Sequence, residues 1–369
     1  MRAVILGAGG AIGRQVTAGL IDAPEFDQVV LADLVAVRAR RGARVRTVSV
    51  DAGDAGSLRR VLAPGDLVVN CTSYRLGLKV LKVAIAARCD YLDLGGLYNT
   101  PRQLELHDRA RRAGITAVIG CGATPGLSNV LVGSMAERLD EVHEVSISFA
   151  SHRDPAPSPG LLDTLLDEFR PDVPRFTWKD GGLHAVGAFE GARRVRFPEP
   201  LGVQEVYYVP HSETYTLPRS FGQSVRDVAV RGTWRPSDMQ RLRGLAELGL
   251  TSEHPVGIDG HRVRPIDVVR SVLLASPPRD PEGLWAFFLH VEVAGVREGR
   301  PVRITRRASH PLTWGTDSTA RMTAVPAIIG ARMIAGGPAG GPGVIPPERA
   351  FDPRAFLSAV RAMEVRVVR

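Results

Sequence analysis

Near the start of the chain, Gly7, Gly9, Gly10 and Gly13 are spaced to hold a phosphate against main-chain N–H groups. Glycine reaches backbone angles closed to other residues and lets an anion approach the chain closely. A helical pattern follows, with Val16, Leu20 and Ile21 on one face. Its first residues, Ala11 and Ile12, add free N–H groups and a partial positive charge. The spacing is G-x-G-G-x-x-G, with Ile12 where a strict G-x-G-x-x-G has its last glycine, so Gly7-x-x-Gly10-x-x-Gly13 is the variant that fits. Alone, this is only a tight turn. Asp33 adds weight: it ends a second apolar run about 20 residues after Gly13, where a carboxylate meets the hydroxyls of an adenosine ribose. Together these features predict a dinucleotide site for NAD or NADP. The acid favours NAD, since it repels a 2′-phosphate, while Arg38, Arg40 and Arg41 keep NADP open.

Three later segments supply the rest of the candidate chemistry. Asn70-Cys71-Thr72-Ser73-Tyr74-Arg75, Asp93-Leu94-Gly95-Gly96 and Gly120 to Gly126 each follow a short apolar run with small or polar residues. Ligands of open parallel sheets bind at the carboxyl ends of strands, so these tips are expected to converge beside the glycine loop.

The elements that would position them alternate strand and helix. Strands are expected at Arg2–Leu6, Val29–Ala32, Val45–Val50, Leu67–Asn70, Tyr91–Leu94 and Ala117–Ile119, with helices of about ten residues between them. That rhythm predicts an α/β fold, a Rossmann doubly wound parallel sheet covered on both faces. Beyond Gly126 the pattern changes to strand-like stretches at 142–149, 193–197, 205–208, 225–233, 285–294 and 302–306, with Glu298-Gly299 as a hairpin turn. This is read as an inserted α+β substrate and dimerisation domain. The expected organisation is residues 1–125 for dinucleotide binding, 126–310 for substrate and dimerisation, and 311–369 as a C-terminal segment returning to the Rossmann domain. In that segment 319–334 is a strong helical pattern, and the final helix and strand are expected to close the first sheet.

With 369 residues, 44% hydrophobic and 23% charged, the chain has the profile of a soluble protein of about two domains. No apolar run reaches the roughly 18 residues of a membrane span, and the short run Ala3–Leu6 leads into a glycine loop rather than a cleavage site. A cytoplasmic protein with no membrane partner is expected. Cys71, Cys89 and Cys121 show no C-x-x-C spacing, and the nine histidines show no H-E-x-x-H grouping, so no metal site is expected. The net charge of +8 comes from scattered arginines without aromatic interleaving, which argues against a nucleic-acid partner. A hydrolase is disfavoured because no G-x-S-x-G elbow exists; Gly126-Leu-Ser-Asn-Val fails at its last position.

Tyr91-Leu-Asp-Leu-Gly-Gly96 followed by Gly120-x-Gly-Ala-Thr-Pro-Gly-Leu-Ser-Asn129 resembles the saccharopine dehydrogenase-like family, in particular its saccharopine reductase and lysine 6-dehydrogenase branch. Gly232-Thr-Trp-Arg-Pro236, the stretch 319–331 and Gly343-Val-Ile-Pro-Pro-Glu348 are similar to the same pattern. The segment containing His211-Ser-Glu-Thr-Tyr215 does not align. The resemblance implies hydride exchange between a nicotinamide and the carbon of a C–N bond in an amino acid or its imine. On that basis Arg235 is a candidate bidentate clamp for a substrate carboxylate. Asp93 would accept a hydrogen bond from the substrate ammonium or relay its proton, and Tyr74 and Ser73 would orient it. Cys71, Thr72 and Ser73 would line the cofactor, Pro125 and Gly126 would shape a turn against the nicotinamide, and Asn129 would bind its carboxamide or the substrate. The expected reaction is lysine 6-dehydrogenase-like. The alternatives are a saccharopine or carboxynorspermidine reductase-type enzyme that forms a secondary amine, or a non-catalytic NAD(P)-binding sensor. The expected assembly is a homodimer.

Overall fold

The computed structural model of the chain describes residues 1–35, 37, 44–154, 158–276, 283–337 and 339–369. Arg38, Arg40 and Arg41 lie outside the described residues.

The first apolar runs form β1 (Arg2–Leu6), β2 (Gln28–Asp33) and β3 (Val45–Ser49), followed by β4 (Leu67–Asn70), β5 (Asp90–Asp93) and β6 (Thr116–Val118). They pair in parallel in the order β3-β2-β1-β4-β5-β6. Successive side chains alternate between faces. Ala3, Ile5, Leu31 and Val69 pack on one side with Val16 and Leu20, whereas Val4, Leu6, Val30 and Val68 pack on the other with Leu58, Val80 and Leu81. Both faces are therefore covered by helices, as the near-continuous apolar strands require. The strand order reverses between β1 and β4, which opens a crevice at their carboxyl ends.

The second region is a nine-stranded mixed sheet. Its strands begin with β7 (Glu141–His152), β8 (Phe176–Lys179), β9 (Gly182–Ala185), β10 (Arg193–Arg196), β11 (Val203–Tyr208) and β12 (Asp227–Trp234). A separate small hairpin of β13 (Val256–Ile258) and β14 (His261–Val263) precedes β15 (Ala286–Arg297) and β16 (Arg300–Ser309). β7 lies at the centre, parallel to β12 and antiparallel to β15. Between β15 and β16, Glu298 and Gly299 both take positive φ (51° and 71°), the twist a two-residue hairpin favours.

The C-terminal segment divides between the two sheets. The helix Ser318–Gly336 lies against the helix Ala11–Leu20, and so closely that a Cβ at Gly19 would stand 2.4 Å from Ile328 Cδ1. β17 (Gly343–Ile345), inside the glycine- and proline-rich stretch, pairs in parallel with β6 and extends the first sheet. The last strand, β18 (Arg366–Val368), does not return to that sheet as expected; it pairs antiparallel with β16 at the edge of the mixed sheet. Among the described residues no helix is long and apolar enough to cross a membrane.

Candidate active site

The glycine loop sits at the carboxyl end of β1 and each key glycine has a distinct steric reason. Gly7 has φ +75°, and a Cβ there would come within 2.9 Å of the Cys71 backbone. A Cβ on Gly13 would fall 2.0 Å from the Gly7 carbonyl oxygen, so only glycine lets the helix approach the strand this closely. Gly10 is the N-cap of the helix that begins Ala11-Ile12, and no side chain caps it, which leaves its first N–H groups free for an anion. Gly9 donates its N–H to Asp33 Oδ2 at 2.8 Å, so the acid at the end of β2 borders the loop. These residues fit a dinucleotide: Gly7 to Gly13 would hold the pyrophosphate, Asp33 a ribose, and the Cys71-Thr72 backbone the wall beside them.

The tips of β4, β5 and β6 are tied together by one buried network. Asn70 Oδ1 accepts from the Thr72 hydroxyl at 2.6 Å, and its Nδ2 donates to Tyr91 Oη at 3.1 Å. Tyr91 Oη in turn donates to Asp93 Oδ2 at 2.9 Å. Asp93 also accepts from Gln103 Nε2 at 2.7 Å, Gly120 N at 2.7 Å and Gly95 N at 3.1 Å. Burial pushes its carboxyl pKa up, opposed by these donors. With four donors around it, Asp93 is occupied in holding the turns after β5 and β6 and presents no free acceptor to a substrate ammonium. Pro125 packs into the gap between those turns: its Cγ would meet a Cβ at Gly95 at 2.9 Å and one at Gly120 at 3.0 Å.

Other candidates also take roles different from those expected. Tyr74 Oη donates to Asp167 of the second region, and Arg75 Nη2 joins the same carboxylate at 3.0 Å. Tyr74 therefore bridges the two regions. Ser73 caps the helix Tyr74–Ala87 by accepting from the Arg75 N–H. Asn129 is buried and saturated: its Oδ1 accepts from Gly126 N at 2.8 Å, and its Nδ2 donates to Glu348 at 2.9 Å. It shapes the Gly126 turn and is not available to a carboxamide. Arg235 precedes the helix Pro236–Glu247, donates to the Leu284 carbonyl at 2.8 Å and stacks over Trp285. Its neighbour Trp234 points elsewhere, with its Nε1 donating to Glu168 Oε2 at 3.0 Å and its ring under Arg153 at 4.1 Å. The Arg235 guanidinium is thus engaged with the Leu284 carbonyl and the Trp285 ring.

One polar cluster was not anticipated from the sequence. Thr124, on the turn after β6, donates its hydroxyl to Glu213 Oε1 at 2.6 Å, and Ser128 donates to the same oxygen at 2.7 Å. Glu213 Oε2 stands 3.8 Å from His211 Nδ1, and His211 Nε2 is 3.5 Å from Glu168 Oε1. Phe149 of β7 stacks on the imidazole with ring centroids 5.4 Å apart. Glu168, His211 and Glu213 are all buried, and among the described residues Glu213 Oε2 has no hydrogen-bond partner. Burial disfavours the imidazolium, but the hydrogen bond to Glu168 and the charges of Glu213 and Glu168 outweigh it and raise the His211 pKa. The one hint in the sequence was the polar run His211-Ser-Glu-Thr.

A glycine cradle at a switch point of a parallel sheet, in a chain whose second sheet brings a buried polar cluster to the turn after β6, defines a nicotinamide-dinucleotide-dependent oxidoreductase. Residues 3–118 match the saccharopine dehydrogenase NADP binding domain, and residues 122–366 match the saccharopine dehydrogenase C-terminal domain. The chain belongs to the saccharopine dehydrogenase family. It is an NAD(P)-dependent dehydrogenase acting on C–N bonds. Among its relatives, the carboxyaminopropylagmatine dehydrogenase of Synechocystis is 23% identical over 393 residues, covering 98% of this chain and 96% of that protein. The carboxynorspermidine synthase of Vibrio cholerae is 25% identical over 341 residues, covering 84% and 79%. The structure of apo saccharopine dehydrogenase (L-Glu forming) from Saccharomyces cerevisiae shares the fold, with a TM-score of 0.66 at 17% identity and 100% of both chains covered.

Proposed function

We propose that the protein reduces the imine formed between a primary amine and an amino acid bearing a terminal carbonyl, giving a secondary amine that keeps its amino-acid carboxylate. The observation that carries this reading is the buried Glu168-His211-Glu213 cluster beside the Thr124 turn. Two carboxylates, one with an unpartnered oxygen, favour a cationic amine or iminium over a neutral substrate. The full-length relatives support it too, since their names describe carboxylated polyamine products. That support favours the secondary-amine alternative over the lysine 6-dehydrogenase-like expectation. When bound, a nicotinamide supplies the hydride; Gly7, Gly10, Gly13 and Asp33 would hold the dinucleotide, and Thr72 and Pro125 would line the wall beside it. Asp33 makes NADH the preferred donor, a choice that comparing NADH and NADPH affinities tests directly.

The deciding experiment follows nicotinamide absorbance with a semialdehyde of an amino acid plus agmatine, a short diamine or glutamate, and in the oxidative direction with free lysine. Turnover that needs both amine and semialdehyde supports the proposal. Oxidation of lysine alone would restore the lysine 6-dehydrogenase-like reading, and cofactor binding without any turnover would favour a sensor. We further propose a homodimer, which sedimentation equilibrium tests.

A further inference from the structure

We propose that Thr124, Glu213, His211 and Glu168 form a proton relay for the substrate nitrogen, with Thr124 the residue that meets the substrate and His211 the proton reservoir behind it. The inference rests on the C–N chemistry above but not on the identity of the amine.

The geometry is directional. Thr124 is only half-buried, while Glu213, His211 and Glu168 behind it are buried. The Thr124 hydroxyl spends its proton on Glu213 and also lies 3.4 Å from His211 Nδ1, so a lone pair remains to accept from a substrate N–H. Glu213 Oε1 already accepts from Thr124 and Ser128, whereas Oε2 lacks a hydrogen-bond partner among the described residues and stands 3.8 Å from His211 Nδ1. A buried carboxylate oxygen without a donor is unusual, and a proton arriving on Oε2 or on Nδ1 satisfies it. The imidazole is fixed by stacking on Phe149, and its other nitrogen faces Glu168, itself held by Trp234. Arg175, whose Nη2 donates to the Glu168 carbonyl at 2.7 Å, and Arg153, over Trp234, are cations that face this end. An imidazolium at His211 is held by the hydrogen bond to Glu168 and by the charges of Glu213 and Glu168 together.

The proton balance of the reaction calls for such a relay. A secondary ammonium must lose one proton before its lone pair can form the C=N bond as hydride leaves carbon for the oxidised nicotinamide. That proton passes from nitrogen to Thr124 Oγ1 while the Thr124 proton moves to Glu213, and it comes to rest on His211. In the reductive direction the iminium takes up hydride, and the neutral amine that results receives the proton back along the same path.

The test combines pH profiles with direct titration of the imidazole. Thr124→Val and Glu213→Gln are expected to lower kcat at neutral pH by about 100-fold or more with cofactor affinity within about three-fold, and Thr124→Ser to restore most of it. His211→Gln should remove one limb of the kcat/KM pH profile. In nitrogen-detected NMR of the wild-type holoenzyme, His211 should titrate above the ordinary histidine range and at a lower pH in Glu213→Gln than in wild type. An unchanged pH profile in His211→Gln, or a Thr124→Val enzyme as active as Thr124→Ser, overturns the relay. An ordinary, Glu213-independent His211 titration overturns it even if no amine substrate is found, so its failure is separable from that of the proposed reaction.

Discussion

Asp93 offers the sharpest separation between a catalytic carboxylate and an architectural one. Its Oδ1 accepts from the Gly95 and Gly120 N–H groups, and its Oδ2 from Tyr91 and Gln103. Asp93→Ala leaves two of these donors, the Gly120 amide and Gln103 Nε2, buried without a partner and the Gly95 amide partly exposed; the Tyr91 hydroxyl still reaches the Gly77 carbonyl. At about 1–3 kcal/mol for each of the two buried unsatisfied groups, the loss is at least about 2 kcal/mol, a large share of a typical domain's stability. Asp93→Asn is milder. Its carbonyl can keep both glycine amides, and its NH2 can meet Gln103 if that side chain turns its unpartnered Oε1 inward. The expected cost is about 1–2 kcal/mol, the difference between a charged and a neutral acceptor. Urea unfolding of the three proteins measures both losses, and steady-state kinetics on the same samples reads the activity. The architectural reading expects Asp93→Asn to keep turnover within about ten-fold and stability to fall in the order wild type, Asn, Ala. If Asp93→Asn unfolded like wild type but lost about 1000-fold in kcat, its charge would be acting in the chemistry and the reasoning would be wrong.

Three further outcomes follow from single distances or charges. Gly13→Ala places a Cβ 2.0 Å from the Gly7 oxygen, so cofactor Kd should rise at least about ten-fold, whereas Gly10→Ala, with 3.3 Å to the same atom, should leave the unliganded fold intact; fluorescence titration and thermal unfolding read both. Burial raises the Glu348 pKa to about 6. The native state therefore holds a proton that the unfolded chain releases nearer its ordinary value, and stability should fall as pH rises through about 4.5 to 6, by about 2 kcal/mol. Glu348→Gln should flatten that part of the unfolding free energy against pH, and a slope unchanged from wild type would count against it. Arg235→Ala should cost about 1 kcal/mol through loss of the Leu284 hydrogen bond and leave substrate KM within about three-fold; a KM raised 100-fold would restore the carboxylate clamp.

The first region was legible because its signals are local. A positive φ at Gly7, close helix contact at Gly13 and an acid at the end of β2 each depend on a few neighbouring residues. Strand positions followed from short apolar runs, usually within a residue or two of those observed. The helix Leu127–Ala136 was not legible, because it is buried nearly all round and so shows no apolar stripe. The helix Glu213–Phe221 was hidden by its polar content and by Pro218 inside it. β17 lay concealed among glycines and prolines that argue against a strand, yet its edge position asks for pairing on one side only.

Sequence by itself thus determined the dinucleotide cradle, the parallel sheet and the family likeness, since all three are written in short-range spacing. Only the tertiary structure decided which polar groups face one another. Thr124, Glu168, His211 and Glu213 come from three distant stretches, and no local pattern could pair them. The same holds for Asp93, which has the residue type of a catalytic acid but four donors closing around it. The terminal strand makes the point for the backbone: alternation in Arg366–Val368 specifies a strand, but the free edge of β16 decides which sheet it joins. Hydrogen-bond partners and strand edges are properties of the folded chain, and function is decided there.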